Sequence, residues 1–167
     1  SDRWSNINDL NNYIWINDDT LPHPKMIMHP IATSLDGKVL NAEKFNCATD
    51  LEYANNEIVK TDGKKNLFQS FVEVVNKGNT GFVGYLWPKP KADGTNTEEL
   101  YEKLSYVKKF DKWGWVIGSG IYIDDVNAEF NQSLLNIILT VFFVLIVLGL
   151  VSYFIVKDIV TKVDLLD

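Results

Sequence analysis

A run of about 23 uncharged residues, 134–156, limits this chain of 167 residues more than any other feature. As a helix rising about 1.5 Å per residue, the run would reach roughly 34 Å, enough for a hydrocarbon core of about 30 Å. Its polar residues, Asn136, Thr140, Ser152 and Tyr153, lie mostly near the ends, where interfacial groups are tolerated. A buried helix of a soluble protein is the alternative, but buried helices rarely stay apolar on every side for this length. The run therefore predicts one transmembrane helix.

The membrane helix divides the chain into three predicted regions. The preceding residues are numerous enough to bury the core of one domain. The boundaries are a domain over residues 1–126, a juxtamembrane and transmembrane helix over 127–156, and a linker over 157–167. We interpret the chain as part of a longer receptor-like protein.

The charges beside the membrane helix indicate its orientation. Asp124, Asp125 and Glu129 precede it, whereas Lys157 and Lys162 follow it. Because cytoplasmic flanks carry an excess of Lys and Arg, the tail is predicted to be cytoplasmic and the domain external.

Composition excludes several classes of function. The net charge of −6 and the absence of a Lys/Arg run argue against a nucleic-acid surface. The single cysteine, Cys47, cannot form an intrachain disulfide and belongs to no metal-binding pattern. His23 and His29 are too few and too differently placed for a metal site. There is no Ser-centred elbow, HExxH motif or Gly-rich phosphate loop, so we predict neither an enzyme nor a cofactor.

The pattern of apolar residues predicts an α+β fold. A strong helix is predicted over residues 64–77, where apolar residues recur at helical spacing, and a weaker one over 49–60. Five strands are predicted, the last three forming an antiparallel meander: residues 13–18, 26–30, 81–87, 103–110 and 113–123.

Six short motifs, in this order, resemble a known family. They are Tyr-Ile-Trp-Ile-Asn-Asp from residue 13, Met-Ile-Met-His-Pro from 26, Leu-Asp-Gly-Lys-Val-Leu from 35, Gly-Phe-Val-Gly-Tyr-Leu-Trp-Pro-Lys-Pro from 81, Lys-Leu-Ser-Tyr-Val-Lys from 103, and Trp-Gly-Trp-Val-Ile-Gly-Ser-Gly-Ile-Tyr-Ile-Asp-Asp-Val from 113. Together they are similar to a single Cache domain of the second type, the PAS-like extracellular sensor of bacterial receptors. The resemblance covers residues 3–126, although the family usually has a short turn where residues 20–24 are inserted here.

The resemblance implies a fold, a ligand class and a location. The fold would be a PAS-like five-stranded antiparallel sheet with flanking helices, followed by the transmembrane helix. The ligand would be a small organic carboxylate such as acetate, propionate or pyruvate. The protein would lie in the bacterial inner membrane as a homodimer, with its sensor domain in the periplasm.

Aromatic and basic residues of two strands are the first candidates for the binding site. Tyr85 and Trp87 share one face of their strand, and if Tyr106 is a cross-strand neighbour of Tyr85, both hydroxyls could reach a bound carboxylate. Lys89 or Lys108 would supply the positive charge. The alternatives are ordinary core aromatics for the tyrosines and solvated surface charges for the lysines.

Three further candidates lie earlier in the chain. His29 ends a predicted strand beside the pocket and matches the family's His-Pro motif, although it could be structural. Trp15 could line the pocket or belong to the core. Arg3, the only arginine, could bind a carboxylate bidentately or be a surface charge.

These observations predict the sensor region of a methyl-accepting chemotaxis receptor that binds a small carboxylate. The sensor region of a histidine kinase or cyclic-dinucleotide enzyme is one alternative. An unliganded protein-interaction or spacer domain is the other.

Overall fold

The computed structural model describes residues 13–91 and 93–164 and contains a mixed α+β fold. All paired strands of its sheet are antiparallel, in the order β2-β1-β7-β6-β5-β3-β4. The strands are β1 (Ile14–Asp18), β2 (Met26–Met28), β3 (Asn46–Tyr53), β4 (Ile58–Asn66), β5 (Thr80–Pro90), β6 (Asn96–Phe110) and β7 (Trp115–Tyr122). The chain divides into two compact units, with the boundary between Val126 and Asn127.

The centre of the sheet is the predicted meander of β5, β6 and β7. Gly81 pairs with Val107, and Val107 pairs with Gly118, which fixes the register of the three strands. Side chains alternate along each strand, so Val83 and Val107 face the core while Phe82 faces outward. The predicted pairing of the first two strands is also present, with Ile16 opposite Met28.

Helix α1 (Leu67–Gly78) covers the inner face of the sheet. Its apolar side chains recur at helical spacing and are buried: Leu67, Phe68, Phe71, Val72, Val74 and Val75. The side-chain oxygen of Asn66 accepts a hydrogen bond of 3.0 Å from the backbone N–H of Gln69 and caps the first turn. Asn79 ends the helix with a left-handed backbone at φ 65°. The predicted helix over 64–77 is therefore confirmed in its body.

The helix predicted over residues 49–60 is wrong, and the sheet has seven strands instead of five. Residues 46–66 form β3 and β4, joined by a turn in which Asn56 adopts a left-handed backbone at φ 64°. Ala48, Leu51 and Tyr53 are buried along β3. Because β3 also pairs with β5, the sheet imposes an extended backbone on a segment with little helical periodicity.

Helix α2 (Ile123–Asp164) begins directly after β7 and includes the predicted membrane segment. Asp124 and Asp125 occupy its first turn, as predicted, where carboxylates favour the positive end of the helix dipole. Among the described residues, this is the one helix long and apolar enough to cross a membrane.

Candidate ligand-binding site

A cleft of about 630 Å³ lies at one end of the first unit. Its walls come from the segment after β2, the start of β3, the end of β5 and the start of β6. The residues used below are Tyr13, His29, Phe45, Trp87, Pro88 and Leu100. The rings of Phe45 and Trp87 are stacked with centroids 6.3 Å apart, which gives the cleft an aromatic wall. Its volume is in the range of small-molecule sites.

A smaller hollow of about 10 Å³ lies deeper in the core. It shares Tyr13, His29 and Trp87 with the cleft and is closed behind them by Trp15 and Tyr85, among other aromatic residues. This volume is roughly that of one water molecule, so an organic acid would need the wall between the two spaces to move. Of these two spaces, the cleft is the one with room for a small organic acid, and the shared residues form its inner end.

His29 is fixed in one protonation state at this inner end. Its Nδ1 accepts backbone N–H hydrogen bonds from Ala32, at 2.9 Å, and Ile31, at 3.3 Å. Burial, assisted by the positive charge of Lys103, lowers the pKa of the His29 ring to about 4. The ring is therefore neutral at physiological pH. Because Nδ1 is an acceptor, the proton of the neutral ring lies on Nε2, which can donate.

Lys103 is a lysine inside the core. Its side chain on β6 is only 1% exposed, and its Nζ donates a 3.1 Å hydrogen bond to the hydroxyl of Tyr13. Nζ also lies 4.4 Å from the ring centroid of Tyr13 and 4.3 Å from that of Tyr122. Within the described residues it forms no ion pair. Burial lowers the pKa of the Lys103 amine to about 7.

The neighbouring phenols stay protonated. The hydroxyl of Tyr85 lies 2.8 Å from Oγ of Ser105, and burial raises the pKa of Tyr85 well above its usual value. Burial also raises the pKa of Tyr13 to about 12. The inner end of the cleft therefore presents neutral hydroxyl and imidazole groups with one buried amine behind them, a set suited to an anion.

The structure brings together four of the predicted site residues. His29 and Trp87 line the cleft, and both also line the deeper hollow with Trp15 and Tyr85. Trp15 is 3% exposed and its Nε1 donates a 3.2 Å hydrogen bond to Oδ1 of Asn17. Trp15 is thus a core residue, as one alternative had it. It also lines the deeper hollow, but it does not line the cleft.

Tyr106 and Lys108 lie elsewhere, on the outer face of the sheet. In the register of β5 and β6, Tyr85 is opposite Lys103, whereas Tyr106 is opposite Phe82. The expected meeting of the Tyr85 and Tyr106 hydroxyls is therefore wrong, because the two side chains point to opposite faces. Tyr106 and Lys108 are exposed there, and neither lines the cleft.

Lys89 and Arg3 complete the set of predicted residues. Lys89 does not line the cleft; its Nζ contacts the carboxylates of Asp124 and Asp125 instead. Arg3 lies outside the residues that the structure describes. Neither predicted lysine lines the cleft, whereas Lys103 contacts Tyr13 of its wall.

Sequence reasoning missed Lys103, Tyr13 and Phe45 as site residues. A signal was present for Lys103, because it lies on the same face of β6 as Ser105 and Val107, which are both fully buried. Period-two alternation thus grouped the lysine with Ser105 and Val107, and the structure shows that this group faces inward. For Phe45 the sequence carries no such signal, because it ends a short 3₁₀ helix, Glu43–Phe45.

The first unit is thus an antiparallel α+β sheet with a ligand-sized cleft, and α2 is long and apolar enough to cross a membrane. The chain belongs to the Cache domain family, whose model dCache_2 matches residues 4–143. The predicted family and fold class are confirmed.

The curated relatives are signalling proteins. The methyl-accepting chemotaxis protein McpP of Pseudomonas putida is 40% identical over 126 residues, which are 75% of this chain and 19% of that protein. The sensor histidine kinase MctS of Rhizobium johnstonii is 43% identical over 53 residues, 32% of this chain and 10% of the kinase. The chain thus spans only 19% and 10% of these relatives' lengths.

Two solved structures are similar in sequence. A periplasmic sensor domain of a chemotaxis protein is 35% identical, with a TM-score of 0.47 over 74% of this chain and 66% of that one. A Cache chemosensory domain, solved to show the structural basis of carboxylic acid recognition, is 31% identical, with a TM-score of 0.48 over 70% of this chain and 68% of that one.

Proposed function

We propose that residues 1–126 form an extracytoplasmic sensor domain that binds a small monocarboxylate such as acetate, propionate or pyruvate. The helix over 127–156 would cross the bacterial inner membrane, and residues 157–167 would begin the cytoplasmic linker. One observation carries the proposal: Lys103 is buried behind Tyr13, a residue of the cleft wall, with no carboxylate partner among the described residues.

A buried amine without a counter-ion is unfavourable, and proteins rarely retain one without a use. Lysine is almost never fully buried unless it is paired, because desolvation of the ammonium group costs several kcal/mol. Among the described residues, only the Tyr13 hydroxyl accepts a hydrogen bond from Nζ, although an ammonium group has three protons to donate. A carboxylate that entered beside Tyr13 would supply both the missing charge and the missing acceptors.

The surrounding groups suit a short acid. The Nε2–H of neutral His29 and the hydroxyl of Tyr13 can donate to carboxylate oxygens, while the stacked Phe45 and Trp87 offer an apolar surface to a methyl or ethyl group. The wall shared by the cleft and the deeper hollow, formed by Tyr13, His29 and Trp87, would determine which chain lengths fit. One methylene in such a pocket changes binding by only about 1–3 kcal/mol, so closely related acids should compete.

Calorimetric titration of the whole chain in detergent micelles with C2–C4 carboxylates tests this proposal. We expect at least one monocarboxylate to bind and Lys103→Met to abolish the binding heat. Lys108→Met is the matched control, because it removes a lysine from the same strand on the exposed outer face. Its affinity should match the wild type. Absence of binding by every acid, or equal binding by both variants, would contradict the proposal and favour a spacer domain.

The signalling output is proposed to be that of a chemotaxis receptor. Its relative McpP is similar over 75% of this chain, more than the 32% matched by the sensor kinase. A kinase output is the second candidate because that relative also matches. Cysteine cross-linking along α2 in membranes would test the accompanying proposal that the receptor is a homodimer. Position-specific cross-links at helical spacing are expected, and their absence would contradict dimerisation.

A further inference from the structure

The end of β5 is tied to the start of α2 through a single lysine. Nζ of Lys89 lies 2.5 Å from a carboxylate oxygen of Asp124 and 2.6 Å from one of Asp125. The same nitrogen lies 4.5 Å from the ring centroid of Tyr101 and 5.1 Å from that of Tyr122. The Lys89 side chain is 16% exposed, so this cation is largely enclosed between two carboxylates and two aromatic rings.

The residues adjacent to Lys89 on β5 belong to the wall of the cleft. Trp87, Pro88 and Pro90 line the cleft, whereas Lys89 does not. The part of β5 that lines the cleft therefore also carries the cation that meets Asp124. Any displacement of this part of β5 must also displace the lysine or break its two ion pairs.

Tyr122 adds a second connection at the same place. It is the last residue of β7, is 1% exposed, and donates a 2.8 Å hydrogen bond to the backbone carbonyl of Pro88. Its ring lies between two cations, with Lys103 Nζ at 4.3 Å and Lys89 Nζ at 5.1 Å. The buried amine of the binding site and the cation at the helix start therefore contact the same aromatic ring.

We propose that Lys89 is a positioning residue that holds the first turn of α2 against the cleft-lining end of β5, so that ligand-driven movement of the cleft wall reaches the helix. This inference rests on the proposed function for its ligand-driven part. The helix dipole alone explains acidic residues in a first turn, but it does not require a lysine from another strand to lie between them. The three charges together form the connection.

Hydrogen–deuterium exchange of the whole chain in detergent micelles, with and without the carboxylate that binds best, tests the inference. Lys89→Met keeps the length of the side chain and removes its charge. In this variant we expect the amides of residues 127–130, whose N–H groups close the first turn of α2, to exchange roughly two- to fivefold faster without ligand, the fold-change that corresponds to a partly exposed ion pair. The ligand should still bind with Kd changed less than about twofold, and its effect on these amides should be lost.

Two controls separate the charge from the fold. Lys91→Met removes an exposed lysine from the same hairpin and should behave as the wild type. Lys89→Arg keeps the positive charge, so the amides of the first turn of α2 should exchange as slowly as in the wild type and respond to the ligand in the same way. If Lys89→Met fails to fold, the double variant Asp124→Asn with Asp125→Asn removes the other half of the connection and should reproduce the expected result.

The outcomes distinguish this inference from the proposed function. Normal binding with unchanged exchange and an unchanged ligand response in Lys89→Met would overturn the role of Lys89. Absence of binding to the wild type would refute the proposed function and the ligand-driven part together. In that case faster exchange in Lys89→Met would still support the holding role, and unchanged exchange would overturn it.

Discussion

Raising the pH from 6 to 8 should weaken carboxylate binding about tenfold. The reason is the buried amine of Lys103, whose pKa burial lowers to about 7 in the ligand-free domain. A bound carboxylate favours the charged amine and raises its pKa, so binding above pH 7 requires uptake of a proton. Proton uptake on binding makes the affinity fall as pH rises.

The magnitude follows from the protonation of Lys103 alone. With a pKa of about 7, roughly nine-tenths of the amines are charged at pH 6 and roughly one-tenth at pH 8. Binding at pH 8 must therefore charge most molecules first, at a cost of about 1.4 kcal/mol per pH unit above the pKa. His29, with a pKa of about 4, and Tyr13, at about 12, do not titrate between pH 6 and 8.

Calorimetry in buffers of different ionisation enthalpy measures this uptake directly. At pH 7 the heats in phosphate and Tris should differ by an amount equal to roughly half a proton taken up per ligand, rising to roughly nine-tenths at pH 8. Lys103→Arg is the matched control, because a guanidinium stays charged throughout this pH range. If this variant binds the acid, its affinity should not change between pH 6 and 8. A wild-type affinity that stays constant from pH 6 to 8, with no proton uptake, would refute the role of Lys103 as the counter-ion.

Three substitutions test other parts of the structure. Lys103→Met should abolish carboxylate binding. It should also raise the free energy of unfolding of the ligand-free chain at pH 6 by roughly 1–4 kcal/mol in urea denaturation, because it removes an unpaired buried charge. A less stable variant would contradict this. Tyr106→Phe should leave the calorimetric Kd unchanged, because the hydroxyl lies on the outer face; weaker binding would place Tyr106 in the site. Gly118→Ala should lower the free energy of unfolding by roughly 1–3 kcal/mol, because a Cβ there would meet the Trp15 ring. Ser119→Ala, exposed beside it, should change the same urea-measured value by less than about 0.5 kcal/mol, and similar losses in both would refute the packing argument.

The sequence predicted the elements whose pattern is set locally. Helix α1 has a buried face at helical spacing, and the predicted membrane segment is uncharged and mostly apolar. Both patterns can be read from the segment itself, without knowing what it packs against. Strands β3 and β4 were missed because residues 46–66 carry many polar and charged side chains, and their extended backbone comes from pairing with each other and with β5. Only the assembled sheet supplies that information.

The placement of Tyr106 shows which part of the candidate site the sequence could not predict, namely the face of β6 that points inward. Alternation correctly separated Tyr106 and Lys108 from Ser105 and Val107 along β6, but it did not say which set faces inward. Both faces of this sheet carry large apolar side chains, since Phe82 is 36% exposed and Tyr106 is 41% exposed on the outer face. Hydropathy therefore could not orient the strand. The register between strands, which decides the matter, is a property of the whole sheet.

Lys103 was missed for a related physical reason. Lysine side chains are almost always exposed to solvent, so a sequence pattern gives no reason to place one in the core. Lys103, on which the proposed site depends, is an exception to this rule. In the proposed function, the unfavourable desolvation that lowers the Lys103 pKa is relieved only when an anion arrives. Pairing with the ammonium group would offset this desolvation cost, and this gain would add to the binding energy from the few contacts that a two- or three-carbon acid can make. The charge interaction therefore adds affinity for any short carboxylate that fits, and the free energy of unfolding of the domain should increase when the acid is bound.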